Sequence, residues 1–136
     1  MKIEIVKINL KKKWNINPYD FWIPLFGEPA ENTLYFESKD FEDNFGYKKL
    51  NRILSKLNVG KIYSFNETKE ENIYSEILIK EYDSPDIFFT NENTEWVIYQ
   101  THEKTIAFAG EELINEIKTQ WLNWKEFANP WRNITK

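Results

Sequence analysis

The chain has 136 residues, 41% of them hydrophobic and 17% aromatic, enough apolar material for one packed domain spanning residues 1–136 and too much for a disordered polymer. It contains no cysteine, which excludes disulfides, thiolate metal sites and a thiol nucleophile. The formal net charge is −4, and residues 28–95 carry fifteen carboxylates against eight basic side chains, which disfavours a nucleic-acid partner and favours a basic protein one.

At the N-terminus, Ile3, Ile5, Ile8 and Leu10 stand among charged neighbours at nearly two-residue spacing, which predicts a β-strand. The basic run at Lys11, Lys12 and Lys13 follows these apolar residues instead of preceding them, the wrong order for a signal peptide. No stretch reaches the ~18 apolar residues of a membrane span. A cytoplasmic protein that engages no membrane is expected.

From residue 11 to 29, KKKWNINPYDFWIPLFGEP contains three of the five prolines, each lacking a backbone donor, and predicts a long aromatic loop. Trp14, Tyr19, Phe21, Trp22 and Phe26 follow no period that hides them. Two readings stand: the rings wrap over a sheet face and cap the core, or some are exposed anchors for a protein partner. The next strand is TLYFES, residues 33–38.

Helical spacing then takes over at Phe41, Phe45, Leu50, Ile53, Leu54 and Leu57, with Asp40 as N-cap and Gly60 as the left-handed C-cap. Gly46 inside this run costs about 1 kcal/mol relative to alanine, so the first turn is expected to be a separate, kinked piece. After Gly60 the chain reads as β for most of its course: KIYSFNE, NIYSEILIKEY (whose length would also permit a helix), DIFF, EWVIYQT and KTIAFAG, separated by the turn-rich DSPD and TNENTE. The last two form a hairpin around His102, Glu103 and Lys104. Leu113, Ile117, Trp121 and Trp124 mark a final helix, with Glu111 and Glu112 in its first turn and Pro130 at or beyond its end. The predicted fold class is α+β: a mainly antiparallel sheet of five or six strands with two helices packed on one face.

His102 is the only histidine. Paired with Glu103 it offers the residue types of general acid–base chemistry, yet adjacent side chains on a strand point to opposite faces and in a tight turn both meet water. Thr101 or Thr105 would have to supply a nucleophile, and no G-x-S-x-G elbow exists. A turn corner is the better reading. One histidine without cysteine is a poor metal set by sequence, no EF-hand spacing occurs, and four glycines form no phosphate loop, so no metal and no cofactor is expected. KKKW, with Trp14 as a stacking ring, is the one nucleic-acid candidate and reads better as a solvated turn.

An acidic and aromatic face is the stronger signal. Glu67, Glu70, Glu71, Tyr74, Glu81, Tyr82, Asp83 and Asp86, with Trp14 and Trp22, are the candidate partner-binding residues, of a kind that attracts basic protein. Trp96, Tyr99, His102, Glu103, Ile106, Phe108, Gly110 and Leu113, within WVIYQTHEKTIAFAGEELI, resemble a pattern in small bacterial proteins that include immunity proteins of polymorphic or contact-dependent toxin systems. The resemblance covers the last third of the chain, extends more loosely to FGYKKLNRIL, and includes no catalytic residues. It implies an inhibitor that binds a cognate protein toxin and performs no catalysis, and the acidic middle of the chain suits a basic nuclease. The alternatives are a small enzyme or ligand-binding domain using His102 and Glu103 with a pocket lined by aromatic residues from 14 to 26, and a scaffold that self-associates through its aromatic loop.

Overall fold

A computed structural model describes residues 2–20, 22, 32–57, 60–75, 79–80 and 86–128. Six strands, β1 (Thr33–Glu37), β2 (Ile62–Asn66), β3 (Glu71–Tyr74), β4 (Ile87–Asn91), β5 (Val97–Gln100) and β6 (Thr105–Ala109), form one antiparallel sheet in the order β1-β6-β5-β4-β2-β3. Four helices flank it: α1 (Lys2–Trp14), α2 (Ser38–Asn44), α3 (Tyr47–Leu57) and α4 (Glu111–Gln120). The α+β class is as expected.

Because side chains alternate across a strand, the sheet buries two sets of residues. Phe36, Ile62, Phe89, Ile98 and Phe108 face α2, α3 and α4, where Phe41, Leu54 and Ile117 complete the larger core. Tyr35, Phe65, Phe88 and Tyr99 face the other way, under Val6 and Leu10 of α1 and the trailing Ile16 and Trp22. Coverage of both faces is why β2, β4, β5 and β6 are buried along their whole length, with apolar residues on both parities of each strand.

The N-terminal segment is the main correction. It is a helix, and it packs on the face opposite the other three. Its working stripe is Ile3, Val6, Leu10 and Trp14, spaced three, four and four, whereas Ile5 and Ile8 are more than half exposed. The two-residue pattern mixed residues from opposite sides of the helix.

The helical run around Gly46 divides as expected, α2 ending at Asn44 and α3 beginning at Tyr47, with Gly46 at φ 98°. Asp40 is not the N-cap. Strand β1 runs straight into α2, so Glu37 holds the cap position and Ser38 donates its backbone N–H to Lys104 O at 2.8 Å. At the other end α3 stops at Leu57, ahead of Gly60.

The long strand NIYSEILIKEY is also corrected: the ladder ends at Tyr74. At Ile79 the backbone is bonded to a helix side chain instead, Asn51 accepting from Ile79 N–H and donating to Ile79 O, both at 2.8 Å. This satisfies polar groups that a buried segment cannot leave open. Trp121 caps α4 and stacks on Phe45 at 5.5 Å, while Trp124 lies past the helix in a short 3-10 turn, Trp124–Glu126. Pro130 lies outside the described residues.

Candidate functional site

The hairpin corner is where the sequence places it. Residues 101–104 turn between β5 and β6, closed by Lys104 N–H to Thr101 O and Thr101 N–H to Thr105 O, both at 3.1 Å. His102 is half exposed on this turn. Its partner is Asp86, not Glu103: Nδ1 lies 2.7 Å from Asp86 Oδ1, and the His102 backbone N–H donates to the same oxygen at 2.8 Å.

Asp86 was expected on a solvated face, and it is buried. Its remaining oxygen accepts from the Tyr99 hydroxyl at 3.2 Å, its backbone N–H donates to Glu67 Oε1 at 3.0 Å, and its carbonyl accepts from Glu67 N–H at 3.0 Å. These bonds clamp the β2–β3 turn, the entry to β4 and the β5–β6 turn together. The Asp86 hydrogen bond, reinforced by its charge, raises the pKa of His102 above 6.5. Burial, with the Asp86 charge beside it, pushes the Tyr99 hydroxyl far up, so it stays a neutral donor.

Beside this clamp opens a cleft of about 230 Å³, lined by Pro18, Tyr19, Asp20, Glu67, Asp86, Phe88 and Tyr99. Its floor is a pair of parallel rings, Phe88 and Tyr99, 4.1 Å apart and inclined by 6°, with Trp22 edge-on behind them. Three carboxylates, from Asp20, Glu67 and Asp86, share the lining, which among the described residues holds no lysine or arginine. The volume is below the ~300–1,000 Å³ usual for small-molecule pockets and fits a single side chain or a hydrated ion.

A second cluster supports the rim. Lys7 of α1 pairs with Glu71 of β3 at 2.7 Å and with Glu4 at 3.2 Å, and donates to the Tyr19 hydroxyl at 3.1 Å, while that hydroxyl makes a short hydrogen bond to Glu71 Oε2. The hydrogen bonds from Lys7 and then from Tyr19 lower the pKa of Glu71, and the same Glu71 bond leads the causes that raise Lys7. Tyr19 is thereby fixed over the cleft.

The other candidates distribute as follows. Glu70 is exposed beside the cleft turn and accepts from Asn66 Nδ2 at 3.1 Å; Tyr74 is half-buried at the end of β3. Glu81, Tyr82 and Asp83 lie outside the described residues. Trp22 is buried under the sheet, its Nε1 donating to Trp14 O at 3.2 Å, so it caps the core and is not an exposed anchor. Trp14 is half-buried and donates to Thr94 O at 3.0 Å, lining a different cavity with Trp96 and Leu113. Thr101 and Thr105 are buried, their hydroxyls 2.8 Å from each other, which withdraws both as nucleophiles.

Tyr19 belongs to the aromatic segment expected to line a pocket, whereas Asp20, Phe88 and Tyr99 were not expected as cleft residues. Only the Asn-Pro turn at residues 17 and 18, which sends the chain after α1 back over the sheet, hints at Asp20. The fold and site define an α+β protein with an acidic, aromatic-floored cleft at one end of its sheet. No protein-family model, no curated protein and no solved structure matches the chain. Among the described residues no helix is long and apolar enough to cross a membrane.

Proposed function

We propose that this chain is a binding protein of the immunity type, which acts inside the cell and masks the basic active-site surface of a cognate protein toxin. The observation that carries this reading is the cleft: three carboxylates beside stacked aromatic rings, with no lysine or arginine among the described lining residues and room for one long cationic side chain. Aromatic faces and carboxylates are the two environments that hold a guanidinium or ammonium group. The exposed Glu70, next to Glu67 on the β2–β3 turn, extends the negative field outward and would speed encounter with a basic partner.

The test is co-expression with the product of the adjoining gene, followed by stopped-flow association. A 1:1 complex is expected, and Glu67→Lys with Glu70→Lys should slow association about 10-fold or more and flatten its salt dependence. An unchanged on-rate would reject the acidic face as the docking surface.

A second reading, a small acid–base enzyme, is favoured by one observation: Asp86 orients the His102 ring through Nδ1, as carboxylates do in acid–base dyads. Its signature is turnover that disappears in His102→Ala at unchanged melting temperature. The mutual hydrogen bond of the two buried threonines weighs against a nucleophilic mechanism built on this hairpin.

A further inference from the structure

Three distant parts of the chain meet at the clamp, and one ligand atom from each of Glu67, Asp86 and His102 lies within 4.8 Å of the others. Imidazole nitrogen and carboxylate oxygen are the donors that borderline divalent ions accept. Two features separate this group from ordinary surface acids. The Asp86 side chain is only 8% exposed, and a buried carboxylate requires charge compensation; among the described residues its one ionic partner is the half-exposed His102. The imidazole is also already directed, because the Asp86 oxygen that meets Nδ1 holds the His102 backbone as well.

We propose that Glu67, Asp86 and His102 form a site for a divalent cation of the zinc class, the metal replacing the proton shared by His102 Nδ1 and Asp86 Oδ1, with water completing the shell. Metal–ligand bonds of ~2.0–2.2 Å at tetrahedral angles set neighbouring donors roughly 3.4 Å apart. The Nδ1···Oδ1 pair, now at 2.7 Å, has to open only slightly, which a half-exposed ring on a turn allows. Glu67 is exposed and free to swing its second oxygen inward. The ring binds as a neutral base, so where it starts protonated one proton leaves for each metal bound.

Zinc chloride titrated into the chelator-treated full chain tests this, read by calorimetry and by the nitrogen resonances of the sole imidazole. Saturable 1:1 binding that shifts those resonances is expected, tightening about 10-fold or more as pH rises past the titration of His102. His102→Gln and Glu67→Gln should each weaken binding about 10- to 100-fold. Glu67 is a surface side chain, so its variant answers the question even if substitution of His102 disturbs the turn. Glu112→Gln, at the far cavity, should leave binding unchanged. Imidazole resonances that stay fixed at saturating zinc, or an affinity untouched by both clamp variants, would overturn the site and reduce any uptake to adventitious binding at surface carboxylates.

Discussion

One oxygen of Asp86 accepts twice from His102, from the backbone N–H at 2.8 Å and from the ring Nδ1 at 2.7 Å. The other oxygen accepts from Tyr99, whose ring is buried. Replacing Asp86 by alanine therefore strands a buried hydroxyl and releases the hairpin corner. The expected loss is on the order of 2–3 kcal/mol in urea unfolding at unchanged slope. A loss under about 0.5 kcal/mol would mean that the clamp contributes nothing to the fold.

His102 makes part of the stability depend on pH. Its pKa is raised in the folded state, first by the Asp86 hydrogen bond and then by the Asp86 charge. The protonated form is thus favoured by folding, and its contribution is complete below the ordinary value of 6.5 and is lost as pH climbs through the folded pKa. Unfolding free energy should fall across that interval, and His102→Gln should flatten the fall. Nuclear magnetic resonance of the only imidazole reads the folded pKa directly; a value at or below 6.5 contradicts the clamp.

On the acid side the sign reverses. Lys7 first and Tyr19 second hold the Glu71 pKa below its ordinary 4.5, so the carboxylate's contribution is present above 4.5 and disappears as pH falls through the lower folded value. Glu71→Gln should remove about 1 kcal/mol at neutral pH, since the pair is only partly exposed, and should also remove this portion of the acid sensitivity. Denaturant curves between the two pH limits measure both effects.

Gly110 holds the junction of β6 and α4 at φ 115°, and a Cβ there would stand 2.5 Å from Glu95 O and 2.9 Å from Trp96 Cα. Both obstacles are backbone and cannot rotate away. Gly110→Ala should cost roughly 3 kcal/mol or more, strain and overpacking together. A variant with wild-type melting temperature would show that this junction is not packed as described.

Ile8 and Leu10 distinguish a helix from a strand at the N-terminus. A strand would place them on the same face, whereas in α1 Leu10 is fully buried and Ile8 is 53% exposed. Leu10→Ala should therefore cost about 2–5 kcal/mol and Ile8→Ala less than about 0.5. Equal effects would favour the two-residue pattern.

Most of the fold was readable because it rests on local rules. Strands β1, β2, β4, β5 and β6, the break at Gly46, the hairpin at residues 101–104 and α4 each follow from a short-range pattern of apolar residues and turn formers. Reading failed where a pattern of one period fell by chance on another. Ile3, Ile5, Ile8 and Leu10 imitate a strand, and only the sheet face waiting to be covered shows that Val6 and Leu10 form the stripe that is buried. Ile79 keeps its strand-like composition but finds its hydrogen bonds on Asn51.

The site divides in the same way. Acidity around Glu67 and Asp86, the histidine at a corner and the surplus of aromatic rings are properties of composition and turn chemistry, and the sequence alone determined them. Which carboxylate meets the imidazole was decided by the tertiary structure. Glu103 is one residue away and is not the ring's hydrogen-bond partner, while Asp86, sixteen residues back, arrives because β4 and β5 pair antiparallel and bring the start of one strand beside the end of the other. Strand pairing unites residues that share no spacing in the sequence.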